Sequence, residues 1–139
     1  MSLVDARLEC SDAQALTASA DSTNVIDLTG TALQVGAGQP LYMHFNVTVA
    51  ADFTTGDETY SFGVATGAAT SLGTVLASRA IVAGTLVAGY NFSIAVPSTG
   101  VLRYIGAEYV LAGTSPTITV DAYLSDQEVY SWQSYADAI

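Results

Sequence analysis

Residues 41 to 49 constrain the fold most strongly: Leu41, Met43, Phe45, Val47 and Val49 alternate with Tyr42, His44, Asn46 and Thr48. Successive side chains of an extended chain point to opposite faces, so this period of two predicts a strand with one buried face. The same period recurs in Tyr60, Phe62 and Val64, and in Tyr90, Phe92, Ile94 and Val96. It returns in Ile105, Ala107, Tyr109 and Leu111, and again in Ile118, Val120, Ala122 and Leu124. Turn residues separate the runs: Gly36-Ala37-Gly38-Gln39-Pro40, Thr55-Gly56-Asp57, Gly84, Gly89, Pro97-Ser98-Thr99-Gly100 and Gly113-Thr114-Ser115-Pro116. Weaker strands are expected at Val25 to Leu28, around Leu72 to Ser78, and around Ile81 to Val87. About eight short strands joined by short turns predict an all-β fold, a jelly-roll-like two-sheet antiparallel sandwich.

Two segments depart from this pattern. Residues 1–24 are rich in Ala, Ser, Thr and Asp, and Ser11-Asp12-Ala13-Gln14-Ala15-Leu16 has the look of one capped helical turn. Residues 125–139 carry Tyr130, Trp132 and Tyr135 among Asp126, Glu128 and Asp137. Two readings of that aromatic stretch stand: the closing edge of the sandwich, or an arm that docks on a neighbour, since Tyr and Trp are enriched in interface cores. No break in composition divides the chain, so 1–139 reads as one domain, with an N-terminal segment 1–24, a β-sandwich 25–124 and a C-terminal segment 125–139.

At 139 residues and 50% hydrophobic content the chain can build a core without covalent staples. Thirteen Asp and Glu stand against three Arg and no Lys, for a formal net charge of -10. Arg7, Arg79 and Arg103 are far apart in sequence, which argues against nucleic-acid binding, and an anionic membrane surface would repel the chain. Cys10 is the single cysteine, so no internal disulfide is possible. Asp5, Arg7 and Glu9 interrupt the first ten residues, and no apolar run approaches the ~18 residues of a membrane span. The expectation is a soluble protein made in the cytoplasm, in which the sequons Asn46-Val47-Thr48 and Asn91-Phe92-Ser93 are strand residues.

Catalytic chemistry finds little to use. His44 is the only histidine and lies on the polar face of the best-defined strand, where a solvated or cross-strand-paired imidazole is expected. No Gly-x-Ser-x-Gly elbow, phosphate loop or metalloprotease helix is present. Asp52, Asp57 and Glu58 share a loop but match no calcium-loop spacing, and read as a solvated, mutually repelling group. Cys10 has no basic neighbour to activate it. The chain is expected not to be an enzyme and to need no cofactor or metal.

Three stretches are more specific than β composition: Ser11-Asp12-Ala13-Gln14-Ala15-Leu16-Thr17, Asp21-Ser22-Thr23-Asn24-Val25-Ile26-Asp27-Leu28 and Gly36-Ala37-Gly38-Gln39-Pro40-Leu41-Tyr42. They resemble the start of the capsid cement, or decoration, proteins of tailed bacteriophages, the family typified by the Bordetella phage cement protein. The likeness continues more loosely through Leu86-Val87-Ala88-Gly89-Tyr90, Val96-Pro97 and Arg103-Tyr104-Ile105, spanning residues 11 to about 124. The resemblance implies a jelly-roll structural protein on the outer surface of the virion capsid, bridging neighbouring major capsid proteins of HK97-like type as a homo-oligomer, a dimer or trimer. No catalytic residue is carried over.

Residues Ser11, Asp12, Gln14 and Asn24 are candidates for the capsid or subunit interface, because a polar, turn-rich stretch is poorly explained by core packing. An ordinary edge strand with a leader is the other reading of Ser11 to Leu28. Tyr42, Tyr104 and Tyr123 fall opposite their strands' core residues and join the candidates, as do Tyr130, Trp132 and Tyr135 of the last segment. A rival function is a carbohydrate-binding or adhesive module, for which those aromatics would supply stacking platforms.

Overall fold

The alternating runs become the strands of two antiparallel sheets in a computed structural model, which describes residues 8–28, 41–97 and 100–125. The strands are β1 (Glu9–Leu16), β2 (Ala20–Asp21), β3 (Ile26–Asp27), β4 (Tyr42–Val49), β5 (Thr59–Gly67), β6 (Thr74–Ile81), β7 (Asn91–Ala95), β8 (Tyr104–Ala112) and β9 (Ile118–Ser125). One sheet has the order β1-β9-β4-β7 and the other β2-β8-β5-β6, with β3 also paired to β8. Because β2 and β3 meet β8 at successive places, Glu108–Tyr109 and Tyr104–Ile105, they fill one strand position. Counting them once leaves eight positions, and the chain changes sheets at every connection except the β5–β6 hairpin. That is the jelly-roll arrangement of interleaved Greek keys.

Among the described residues there are nine strands where about eight are expected, because of this split. Two local expectations are corrected. Ser11 to Leu16 belongs to β1 and is not a helical turn, since its backbone pairs with β9 from Glu9↔Tyr123 to Leu16↔Ile118. Ile81 to Val87 is not a strand: after Ile81 the chain makes a 3-10 turn at Ala83–Thr85, which drops Leu86 into the core.

The inward face of each run is the core. Met43, Phe45 and Val47 of β4, Phe92 and Ile94 of β7, and Val120 and Ala122 of β9 pack against Tyr60, Phe62 and Val64 of β5 and Ile105, Ala107 and Tyr109 of β8. At its centre four rings join the sheets. Phe45 and Phe92 stack at 5.1 Å, and Phe62 meets both, at 5.6 and 5.1 Å. Tyr109 stands edge-on to Phe45 and Phe62 at 6.1 and 6.0 Å. These are the tilted and offset geometries that aromatic quadrupoles favour.

Tyr109 brings a hydroxyl into this core, and a buried hydroxyl needs a partner. The partner is the buried Ser11, with Oγ 2.7 Å from the Tyr109 oxygen. Ser11 donates its own proton to Gln14 Oε1 at 2.7 Å, which leaves Tyr109 as the donor to Ser11. To turn Ser11 inward β1 breaks its register on both sides, between Glu9 and Ser11 and between Ser11 and Gln14. The bulge puts Ala13 at φ 46°, and its N–H is held by Asp121 Oδ1 at 2.6 Å.

From β1 the chain crosses to the edge of the second sheet, and serines on either side of the two-residue β2 extend its backbone pairing with β8. Ser19 Oγ donates to the Leu111 carbonyl and accepts its N–H, at 3.2 and 2.9 Å. Ser22 bonds Ala107 through both its N–H and its hydroxyl, at 2.8 and 3.1 Å. Gln14 clamps the crossing by donating to the Asp21 carbonyl and accepting the Thr23 N–H, while Asn24 N–H donates to the Cys10 carbonyl across the sheets. Gly106 of β8 lies beneath this seam, where a Cβ would come 2.8 Å from Leu72 Cδ1 and 2.9 Å from Ser22 Oγ, so a larger residue would have to displace those side chains.

On the opposite side the sandwich ends in β6 and β7. Arg79 of β6 is in register with Phe62, and its guanidinium lies 5.8 Å from the centroid of Phe92. A cation at this place covers the aromatic core and puts a charge on an edge strand, which discourages pairing with another chain.

In urea titrations Phe62→Ala should lower the unfolding free energy by about 3–5 kcal/mol. Tyr109→Phe should cost about 1 kcal/mol, because Ser11 keeps Gln14 as an acceptor. A Phe62→Ala cost below that of Tyr109→Phe would show that the ring cluster does not hold the sheets together.

Candidate functional site

Strand direction sorts the connections into two ends. Residues 17–19, 50–58, 82–90 and 113–117 gather at one, here called the loop end. Residues 68–73, 96–97 and 100–103, with Leu8 and Ser125, lie at the other.

The loop end is tied together from below by Tyr60. Its hydroxyl donates to the Asp52 carbonyl at 2.6 Å and accepts the Thr117 N–H at 3.2 Å. Burial raises its pKa, so it remains a donor across ordinary pH. Asp52 N–H donates to the Thr117 carbonyl and Ala51 N–H to the Leu86 carbonyl, each at 2.9 Å, so the 50–58 loop is strapped to both neighbours.

Its carboxylates take part in the strapping. Asp57 accepts Thr55 Oγ1 at 2.7 Å, Thr114 N–H at 3.0 Å and Thr114 Oγ1 at 2.8 Å. These donors, the Thr55 hydroxyl foremost, bring its pKa from 3.8 down to about 2. Glu58 is buried and accepts the Thr55 hydroxyl and the N–H groups of Thr55 and Gly56, and the Thr55 hydroxyl leads in holding its pKa below the usual carboxylate value. Asp52 accepts the Thr54 hydroxyl and N–H. Gly113, at φ 99°, lets the 113–117 loop pass so close that a Cβ would lie 2.4 Å from the Asp57 carbonyl oxygen. Asp57 is exposed and Asp52 half-buried, as expected of a solvated loop, but Glu58 is buried and all three acids are drawn into one hydrogen-bonded loop.

What this scaffold presents is apolar. Val49 is 58% exposed, Phe53 55%, Val82 77% and Val87 53%. The Ala51–Leu86 bond lies between the two segments that carry them. Sequence reading missed these positions: Val49 was assigned to the buried face of its strand, and Val82 and Val87 to a strand. Phe53 had a usable signal, since it is an aromatic outside every alternating run, between Asp52 and Thr54-Thr55.

The residues proposed from sequence are dispersed. Ser11 is buried against Tyr109, and Gln14 is half-buried in the seam, so the polar pattern of the first strand is explained by internal bonds. Asp12 and Asn24 are exposed. Tyr42 and Tyr123 are half-buried on the outer face of the first sheet, and Tyr104 is on the second sheet, with the Arg103 guanidinium 5.1 Å from its ring. The three tyrosines thus form no common platform. Tyr130, Trp132 and Tyr135 lie outside the described residues.

His44 is 2% exposed, opposite Tyr123 and Ser93, and its ring stacks on Tyr123 at 5.0 Å and 2°. It is cross-strand paired and not solvated. Cys10 is buried, and desolvation pushes its thiol up to about 12. Asp21 and Glu108 face each other across β2 and β8, and burial first and Asp21 second raise the pKa of Glu108. Among the described residues no group of three His, Cys, Asp or Glu could hold a metal ion, and no helix is long and apolar enough to cross a membrane. Asn46 and Asn91, the two sequon residues, pair directly across β4 and β7.

The fold and this loop end define a jelly-roll sandwich with an apolar tip whose 50–58 loop is strapped by hydrogen bonds. Residues 10–124 match the Bbp16 family, and the chain belongs to it; the family is named like a Bordetella phage protein. No curated protein matches the chain.

A depressed carboxylate pKa stabilises the fold above the unfolded-state value and stops doing so as pH falls through the folded one. Thermal stability should therefore drop as pH falls from 3.8 towards about 2, and Asp57→Asn should make that drop shallower. An unchanged acid limb in Asp57→Asn would remove Asp57 from the account. Native Cys10 should resist iodoacetamide at pH 8 and react once the chain is unfolded in urea, as mass spectrometry would record; fast native alkylation would contradict the burial.

Proposed function

We propose that the chain is a structural virion protein that binds the outer surface of a phage head and stabilises contacts between neighbouring major capsid proteins. It acts by contact, without catalysis or cofactor. The observation that carries the reading is the loop end: Val49 at the end of β4 and Phe53, Val82 and Val87 on the adjoining loops are exposed, while the carboxylate and tyrosine groups of the 50–58 loop and its base are bonded internally. Exposed apolar groups on a preorganised surface are the property of a binding face, because little conformational freedom remains to be lost on docking. Membership of the Bbp16 family supports a phage context.

The charge agrees with an outer position. A chain of formal charge -10 is repelled by packaged DNA, which disfavours the lumen of a filled head. On a symmetric lattice many copies act together, so each contact can be weak. Homo-oligomeric assembly, as a dimer or trimer, would extend each copy's reach over adjacent capsid subunits.

The test is cosedimentation with shells of the parent phage that lack this protein. Binding should saturate at a fixed, small-integer ratio to the major capsid protein and raise the melting temperature of the shell. Absence of saturable binding, with retention on a glycan array, would replace this reading with the carbohydrate-binding one.

A further inference from the structure

Resting on the capsid-binding reading, we propose that the loop end is the docking face and that its occupant is an apolar pocket rimmed by Lys or Arg on the partner protein's surface. Val49, Phe53, Val82 and Val87 supply the apolar centre. Among the described residues the other large exposed apolar side chains are dispersed: Val75 on β6, Leu102 shortly before β8 and Val110 on the outward side of β8.

Charge selects the partner. The four connections of the loop end contain Asp52, Asp57 and Glu58 and no Lys, Arg or His. Asp57 stays ionised down to about pH 2, so the negative potential persists at every working pH. A second copy meeting this face symmetrically would set these carboxylates against their own equivalents, a repulsive arrangement. A pocket with a cationic rim answers both the apolar centre and the charge. The opposite end is less suited, since there Arg103 forms a two-point ion pair with Asp27 at 2.9 and 3.0 Å, so its cation is already matched.

The loops are preorganised for this role. Asp52, Asp57 and Glu58 are held by Thr54, Thr55, Gly56 and Thr114, and Tyr60 fixes the base, so Phe53 is displayed on a loop that has little freedom left to lose. Rim charge then governs the encounter rate and its salt dependence, and the buried ring governs how long the complex lasts.

The experiment compares wild type, Phe53→Ala, Val82→Ser and, as a control on another face, Val110→Ser, in binding to parent-phage shells. All three positions are at the surface, so circular dichroism and melting temperature should match wild type. Phe53→Ala should weaken binding tenfold or more and Val82→Ser severalfold, with Val110→Ser unchanged. Wild-type binding should also weaken as NaCl rises from about 0.05 to about 0.5 M. Equal binding by wild type and Phe53→Ala would place the docking face elsewhere and leave the capsid-binding reading intact. No binding by wild type would overturn both. If sedimentation velocity shows that Phe53→Ala dissociates the free protein's own oligomer, the face joins copies of this chain and the inference fails.

Discussion

The rest of the structure depends on the four-ring cluster of Phe45, Phe62, Phe92 and Tyr109, which joins the sheets and brings one hydroxyl into the core, where Ser11 bonds it. The Tyr109 ring completes the aromatic cluster that joins the two sheets, and its hydroxyl enters the core with it. An apolar core cannot satisfy that hydroxyl, so a polar residue has to be brought in from the edge. Ser11 serves, at the cost of a broken register in β1 and a left-handed Ala13. Gln14, freed to turn towards β2 by the same irregularity, then clamps the crossing between the sheets. A single buried oxygen thereby shapes the whole first edge of the sandwich.

The loop end repeats that logic with another tyrosine. Tyr60 also carries its ring in the core, and its hydroxyl emerges where the 50–58 and 113–117 loops meet. Around it, threonine hydroxyls neutralise the hydrogen-bonding demand of the carboxylates without any cation. In this way a chain with a strong acidic excess ties its 50–58 and 113–117 loops together. Rigid loops with satisfied polar groups leave their apolar residues as the chemistry on offer, and this links the folding solution to the proposed contact with a capsid.

The sandwich was legible because β4, β5, β7, β8 and β9 each bury one face against a single core, and Phe45, Phe62 or Val120 repeat at that period. The first strand was not, because its bulges destroy the period: Ser11 and Cys10 are adjacent and both buried. A capping pattern stood where a hydroxyl partner for Tyr109 was needed, and only the tertiary contact tells them apart. Likewise Ile81 to Val87 has strand composition, yet Leu86 must turn inward to close the core, which needs a tight turn at Ala83–Thr85. Of the candidate surface, Asp52, Asp57 and Glu58 could be seen as a group, but not the threonines that organise them or the valines that the fold brings to the same end as Phe53.

The most direct measurement is a cryo-electron microscopy reconstruction of parent-phage shells saturated with the recombinant protein. The account predicts ordered jelly-roll density on the outer surface, with residues 50–58 and 82–90 against the major capsid protein and Leu8 and Ser125 directed away. Density seated on the opposite end, or shells that stay bare at saturating concentration, would contradict it.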